Sequence, residues 1–216
     1  MIRLQRHLGD TWASAIMRTT QPVFKQALNA EWDSLAPVIQ AHYALVPFTN
    51  QRLLVKGTME SVSHSSFAKL LIPLTALAGA LVPYRGKNVP VEVVNQSQTD
   101  KTGFFWQRTF FFPGKQPFVF RSVTHHTGER EVTEYVRWGL GIRYKLSVKN
   151  GGLIHTDQGY VWKMGKRSIP LPFNLVMGKL YGEEMPVSDT EFAMKMEIVH
   201  PIFGQTFQYN GRFSIV

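Results

Sequence analysis

The chain has 216 residues, enough for one well-cored domain, and 44% of them are hydrophobic, which excludes a disordered tract. It contains no cysteine, which excludes disulfide frameworks, thiolate metal sites and cysteine nucleophiles together. Lys and Arg number 24 against 15 Asp and Glu, and the resulting net charge of +9 favours anionic partners.

Residues Met1 to Gln21 carry Arg3, Arg6 and Arg18 without an uninterrupted apolar run, so they do not read as a signal peptide. Pro22 to Leu45 places Phe24, Leu28, Trp32, Leu35, Val38, Ile39 and Tyr43 at helical spacing. Pro37 divides this stretch into two expected helices, with Asp33 or Ser34 as the cap of the second. Residues 1–50 are thus a helical segment and 51–216 the remainder of a single domain. Leu53 to Val62 reads as a strand. Phe67 to Val82 reads as an apolar helix, whose Leu70–Val82 run is too short for the roughly 20 residues that span a bilayer. It is expected in the core or dipping into a membrane surface. Arg85 to Asn88 form the break after it.

From Val89 the apolar period changes to two. Strands are expected at Val89–Val93, Phe104–Phe112, Phe118–Thr124, Glu131–Trp138 and Leu140–Val148, and the last alternates cleanly from Leu140 through Ile142, Tyr144 and Leu146. Asn150-Gly151-Gly152 supplies the positive φ that a tight hairpin needs, and Leu153–Met164 returns. Ile169-Pro170-Leu171-Pro172 crosses over. Phe192–His200 and Thr206–Ile215 form a final hairpin about Pro201–Gly204. Short turns between strands exclude a parallel α/β sheet. The expected fold is mainly β: a bent antiparallel sheet or incomplete barrel of about nine to ten strands, lipocalin-like or START-like, with N-terminal helices.

The second half resembles a bacterial family, the domain of unknown function 4166 family. The resemblance rests on Trp106-x-Arg108-x-Phe110, on Glu134 followed by Gly139, and on Gly151-Gly152-Leu153 and Trp162. It continues through Ile169-Pro170-Leu171-Pro172, Glu183 or Glu184, Phe192, Pro201-Ile202-Phe203-Gly204 and Tyr209-x-Gly211, and covers about Leu53 to Val216. Members stand alone or look like a C-terminal extension of NAD(P)-dependent reductases of the short-chain or saccharopine type. The resemblance therefore implies a possible reductase partner and no catalytic residues. This chain has no Gly-x-Gly-x-x-Gly loop, so no cofactor is expected.

Two charges break the strand alternation. Arg108 shares a face with Trp106 and Phe110, and Glu134 shares one with Val132, Val136 and Trp138. A charge on an apolar face is costly unless paired, so both are expected to point inward and interact. They either fix register as a buried pair or line a pocket and orient a ligand's polar head. Trp106, Trp162 and Tyr209 are the expected aromatic lining. His125-His126, ahead of Thr127-Gly128, is placed at a hairpin tip. His155 and His200 have no metal-ligand spacing, so no metal is expected. Glu183-Glu184 cannot both face one substrate, though one can face inward with Glu134 as the evident partner. No Gly-x-Ser-x-Gly elbow is present.

The bases are scattered along the chain with no nucleic-acid-binding signature, so nucleic acid is not an expected partner and much of the charge is read as solvating outward faces. The preferred expectation is non-catalytic binding of a lipid-like or apolar small molecule, in the cytoplasm or peripheral to a membrane. One alternative is an enzyme, or a reductase's accessory domain, with Glu134 as acid or base and Arg108 holding an anion. The other is a structural partner-binding domain with no cavity.

Overall fold

The computed structural model describes residues 21–77, 79, 81–99 and 101–216, so the reading of the first twenty residues lies outside it. Eleven strands follow one another: β1 (Arg52–His64), β2 (Gly86–Ser97), β3 (Phe104–Phe110), β4 (Phe118–Gly128), β5 (Glu131–Tyr135), β6 (Leu140–Lys149), β7 (Gly152–Met164), β8 (Arg167–Leu171), β9 (Lys179–Pro186), β10 (Glu191–His200) and β11 (Gly204–Ile215). Every pairing is antiparallel, in the order β6-β5-β4-β3-β2-β1-β11-β10-β9-β7. β6 and β7 also pair, which closes a ten-strand barrel.

The barrel is closed, where the sequence left an incomplete one open. Closure rests on the length of β7. Its first half, Leu153–Thr156, pairs with β9, and its second half, Tyr160–Met164, runs past β9 and pairs with β8. The Ile169–Leu171 stretch is thus a strand outside the ring and not a plain crossover. Closing the ring leaves none of its ten strands as a sheet edge, and the short β8 carries the edge instead.

The leading segment plugs one end. α1 (Val23–Leu28) passes through a 3-10 turn, Asn29–Ser34, into α2 (Pro37–Tyr43). Pro37 opens α2 as expected, but neither Asp33 nor Ser34 caps it: both lie in the 3-10 turn, and Ala36 is the residue before the helix. The plug is tied to hairpin turns of the barrel. Ala36 N–H donates to Gly151 O at 2.8 Å, and Arg130 N–H donates to Ala27 O at 2.9 Å. Val23, Phe24, Ala27, Leu28, Ile39 and Tyr43 are all buried, so the helices complete the core that the barrel alone would leave open.

The other end carries α3 (Ser66–Leu77), α4 (Asn174–Met177) and the β3–β4, β5–β6, β7–β8 and β10–β11 connections. α3 ends before the Val82 expected for it. Two strand ends also differ from expectation. β5 stops at Tyr135, so Trp138 falls in a 3-10 turn with a left-handed φ of 58°. His125 and His126 pair with Thr133 and Val132 inside the β4–β5 ladder, short of the tip. At the β6–β7 hairpin, Asn150 and Gly151 do take positive φ, 51° and 76°, as the tight turn requires.

Gly57 of β1 lies opposite Phe213 of β11, and a Cβ there would sit 2.3 Å from both the Phe213 ring and the Arg212 carbonyl oxygen. Gly57→Ala is expected to push the ring out of the core and cost about 1–3 kcal/mol. Chemical denaturation reads this as a lower midpoint.

Candidate functional site

Arg108 and Glu134 meet inside the barrel. β3 aligns Trp106 with Ser122 and Arg108 with Phe120 on β4, and β4 aligns Thr124 with Glu134 on β5. This register puts Ser122 between the two charges. Arg108 Nη1 donates to Glu134 Oε1 at 2.9 Å and to Ser122 Oγ at 3.0 Å, while the Ser122 hydroxyl donates to the same carboxylate oxygen. The guanidinium carbon stands 4.5 Å from the centre of the Trp106 ring and 5.1 Å from that of Phe120. Trp106 is held in turn by its indole N–H, which donates to Thr124 Oγ1 at 3.0 Å. Burial opposes the Arg108 charge, but Glu134, Tyr209 and Tyr144 together outweigh it and raise its pKa.

The pair faces a cavity of about 450 Å³. Phe24 and Tyr43 of the plug contribute to its lining, as do Trp106, Ile142, Met194 and Phe207 from the strands and Leu71, Trp138 and Val176 from the opposite end. Tyr209 belongs to the lining as well. Trp162 does not: it lies on the part of β7 that projects past β9, is exposed, and donates its indole N–H to Trp138 O at 2.9 Å. A one-residue bulge at Gln158–Gly159, opposite Arg143, sets Trp162 on the same face as Tyr160, opposite Leu140, but at a level where β7 has run past β9 and no wall encloses it.

A second polar group was not assembled from the sequence. Glu184 of β9 is buried, and its partner is Tyr43 of the plug, not Glu134. Glu183 instead accepts from the Tyr181 hydroxyl at 2.9 Å. Burial raises the Glu184 pKa to about 7, against the opposing pull of its bond to Tyr43 and of Arg108. Burial lowers His42 to about 3 and His155 to about 4. His42 Nε2 lies 3.9 Å from Glu184 Oε2, but an imidazole kept neutral by burial makes no ion pair with it. Burial likewise raises Tyr43 and Tyr144, and lifts Tyr209 to about 12, so these hydroxyls keep their protons. Among the described residues, Glu184 Oε2 and His42 Nδ1 find no hydrogen-bond partner. The signal for His42 was absent because a helical histidine among apolar residues has no spacing to mark it.

Chemically, the cavity offers one ion pair of zero net charge, several neutral hydroxyls and a carboxyl poised near neutrality, among apolar walls. Among the described residues no group of three or more His, Asp or Glu could hold a metal ion, and no helix is long and apolar enough to cross a membrane.

A family model described as "Domain of unknown function (DUF4166)" matches residues 35–213. The chain belongs to this family. The match reaches back into the helical plug, which the sequence resemblance did not include, and so takes in Tyr43 as well as Arg108, Glu134 and Glu184. A relative, the uncharacterized protein YndH of Bacillus subtilis (strain 168), is 26% identical over 168 residues, covering 73% of this chain and 80% of the relative. A porin-like protein from Bacteroides uniformis ATCC 8492 covers 77% of this chain and 96% of its own, at 8% identity. Its TM-score of 0.22 is too low to carry an argument.

The buried groups of this DUF4166 domain set its pH dependence. His42, His155 and His125 have folded pKa values of about 3, 4 and 4 against 6.5 unfolded, so their stabilisation is present above 6.5 and is lost as pH falls toward those values. Glu184, at about 7 folded against 4.5, works oppositely: its contribution is full below 4.5 and is lost as pH rises through 7. The three histidines outnumber the one carboxyl, so stability is expected to fall on acidification below 6.5. Glu184→Gln removes the opposing group and is expected to steepen that fall, read from urea midpoints across a pH series.

Proposed function

We propose that the protein binds one small, largely apolar, lipid-like molecule inside the barrel, with Arg108 and Glu134 addressing its polar group. The observation that carries this reading is the cavity of about 450 Å³ with a hydrogen-bonded ion pair exposed to it. A cavity of that size suits a small ligand, and apolar walls with a few placed polar groups are the usual make-up of such sites. Arg108 and Glu134 cancel each other's charge, and burial holds Glu184 about half protonated at neutral pH. An uncharged head, such as a hydroxyl or carbonyl, therefore suits the site better than a strong anion. Trp106 and Tyr209 form part of the proposed contact surface, and Trp162 acts only by bracing Trp138 at the rim.

The enzyme or reductase-accessory reading draws on one observation, a buried carboxyl with a pKa of about 7. It points to Glu184 as acid or base and away from Glu134, which is already engaged by Arg108 and Ser122. A Glu184→Gln variant that keeps its fold and loses turnover would favour this second reading.

Native mass spectrometry of the purified protein tests binding. A co-purified organic molecule of fixed mass is expected, together with saturable uptake of the uncharged dye Nile red. Removing one charge alone would leave the other buried, at about 3–5 kcal/mol, so the informative variant is Arg108→Met with Glu134→Gln. It is expected to keep the circular dichroism of the barrel and lose the bound molecule. A bare native chain that takes up no dye would refute the proposal.

A further inference from the structure

The end of the barrel opposite the plug has a surface of its own. Up-and-down order brings the β1–β2, β3–β4, β5–β6 and β10–β11 connections there, with the β7–β8 hairpin and α4. These connections touch one another. Phe67 stacks on Phe203 with ring centroids 4.0 Å apart, Trp162 donates to Trp138 O, and His200 Nε2 lies 3.0 Å from Leu175 O.

Charge is segregated to match. Segments 64–88, 111–117, 136–140, 162–179 and 200–205 contain no Asp or Glu, while Lys69, Lys115, Lys163, Lys166, Arg167 and Lys179 are exposed there. Acidic residues gather at the plugged end instead, with Glu31 and Asp33 in the plug, Glu129 and Glu131 at the β4–β5 turn, and Asp189 and Glu191 at the β9–β10 turn. Six exposed bases from separate connections thus share one end of the barrel, with no acidic residue on those segments.

The same face holds most of the large apolar side chains that stay in solvent. Leu70 on α3 is 82% exposed, Ile202 80%, Leu175 on α4 75% and Trp138 62%, with Met164 and Phe203 also exposed. A cluster of this kind, ringed by cations, marks an interaction surface. Leu71, Trp138 and Val176 on these segments line the cavity as well, so the face surrounds its approach.

We propose that this end docks on an anionic lipid bilayer, its apolar tips entering the headgroup boundary and its Lys and Arg ring facing lipid anions. Only a bilayer matches both features. Two copies meeting through this face would oppose two basic surfaces with no acid between them. Nucleic acid would match the cations and leave Leu70, Leu175 and Ile202 without a role. The docking element is the assembled rim, where the sequence pointed to the Leu70–Val82 run alone. Docking goes beyond the cavity reading and does not require a ligand.

Co-sedimentation of the full chain tests this, using vesicles of phosphatidylcholine alone and of phosphatidylcholine with phosphatidylserine in equal parts. Binding is expected to the anionic vesicles only, with a blue shift of tryptophan emission and loss on adding salt. Leu175→Glu with Ile202→Glu is expected to abolish it, and Lys166→Glu with Arg167→Glu to weaken it by about tenfold or more. The Arg108→Met, Glu134→Gln variant is expected to bind vesicles normally, which separates a failure of docking from a failure of the cavity reading. Docking is overturned if the native chain ignores anionic vesicles at low salt. It is also overturned if Leu175→Glu with Ile202→Glu leaves binding unchanged, because adsorption would then reflect net charge alone. Self-association abolished by that same variant, with no vesicle binding, would assign the face to a second copy.

Discussion

Arg108 brings a full positive charge into the barrel, where desolvating an unpaired ion would cost several kcal/mol. Glu134 and Ser122 meet that cost from the two neighbouring strands, and Trp106 and Phe120 bracket the guanidinium with their rings. The pairing works only in one register, because slipping β3 against β4 by a residue would turn Arg108 to the outer face and leave Glu134 alone inside. The interaction therefore binds three strands to one alignment. It also leaves polar hydrogen-bonding groups in an interior that side chains do not fill.

The two ends of the barrel divide the remaining work. At one end, α1 and α2 bury an apolar surface and bring Tyr43 and His42, both kept neutral by burial, toward Glu184, whose carboxyl burial raises to about 7. At the other, short connections leave Leu70, Trp138, Leu175 and Ile202 in solvent. A ten-strand ring is wide enough that its interior need not collapse, whereas small barrels fill with side chains or hold one small ligand. Here the plug supplies closure from one side only.

Much of the barrel was legible because half-buried strands alternate. Leu140 to Val148 and Phe192 to His200 show that period without interruption, and the Asn150-Gly151 turn fixes the hairpin between β6 and β7. The inward pair was legible for the same reason, since Arg108 and Glu134 violate the pattern. Where the pattern is locally broken, reading failed. The length of β7, which runs past β9, put Trp162 at the rim, and the left-handed turn at Trp138 ended β5 early. Glu184 was seen but given the wrong partner, because its contact with Tyr43 joins residues 141 positions apart through the plug. The basic face was invisible for a topological reason: its residues come from separate connections that only the closed meander brings to one end.

Whether the barrel encloses a ligand is tested most directly by a crystal structure of the protein as purified from cells. Continuous electron density is expected in the cavity, for a molecule whose polar end lies within hydrogen-bonding distance of Arg108 or Glu134 and whose body runs along Trp106, Met194 and Phe207. An interior closed by repacked side chains, or one holding only water around the ion pair, would contradict it.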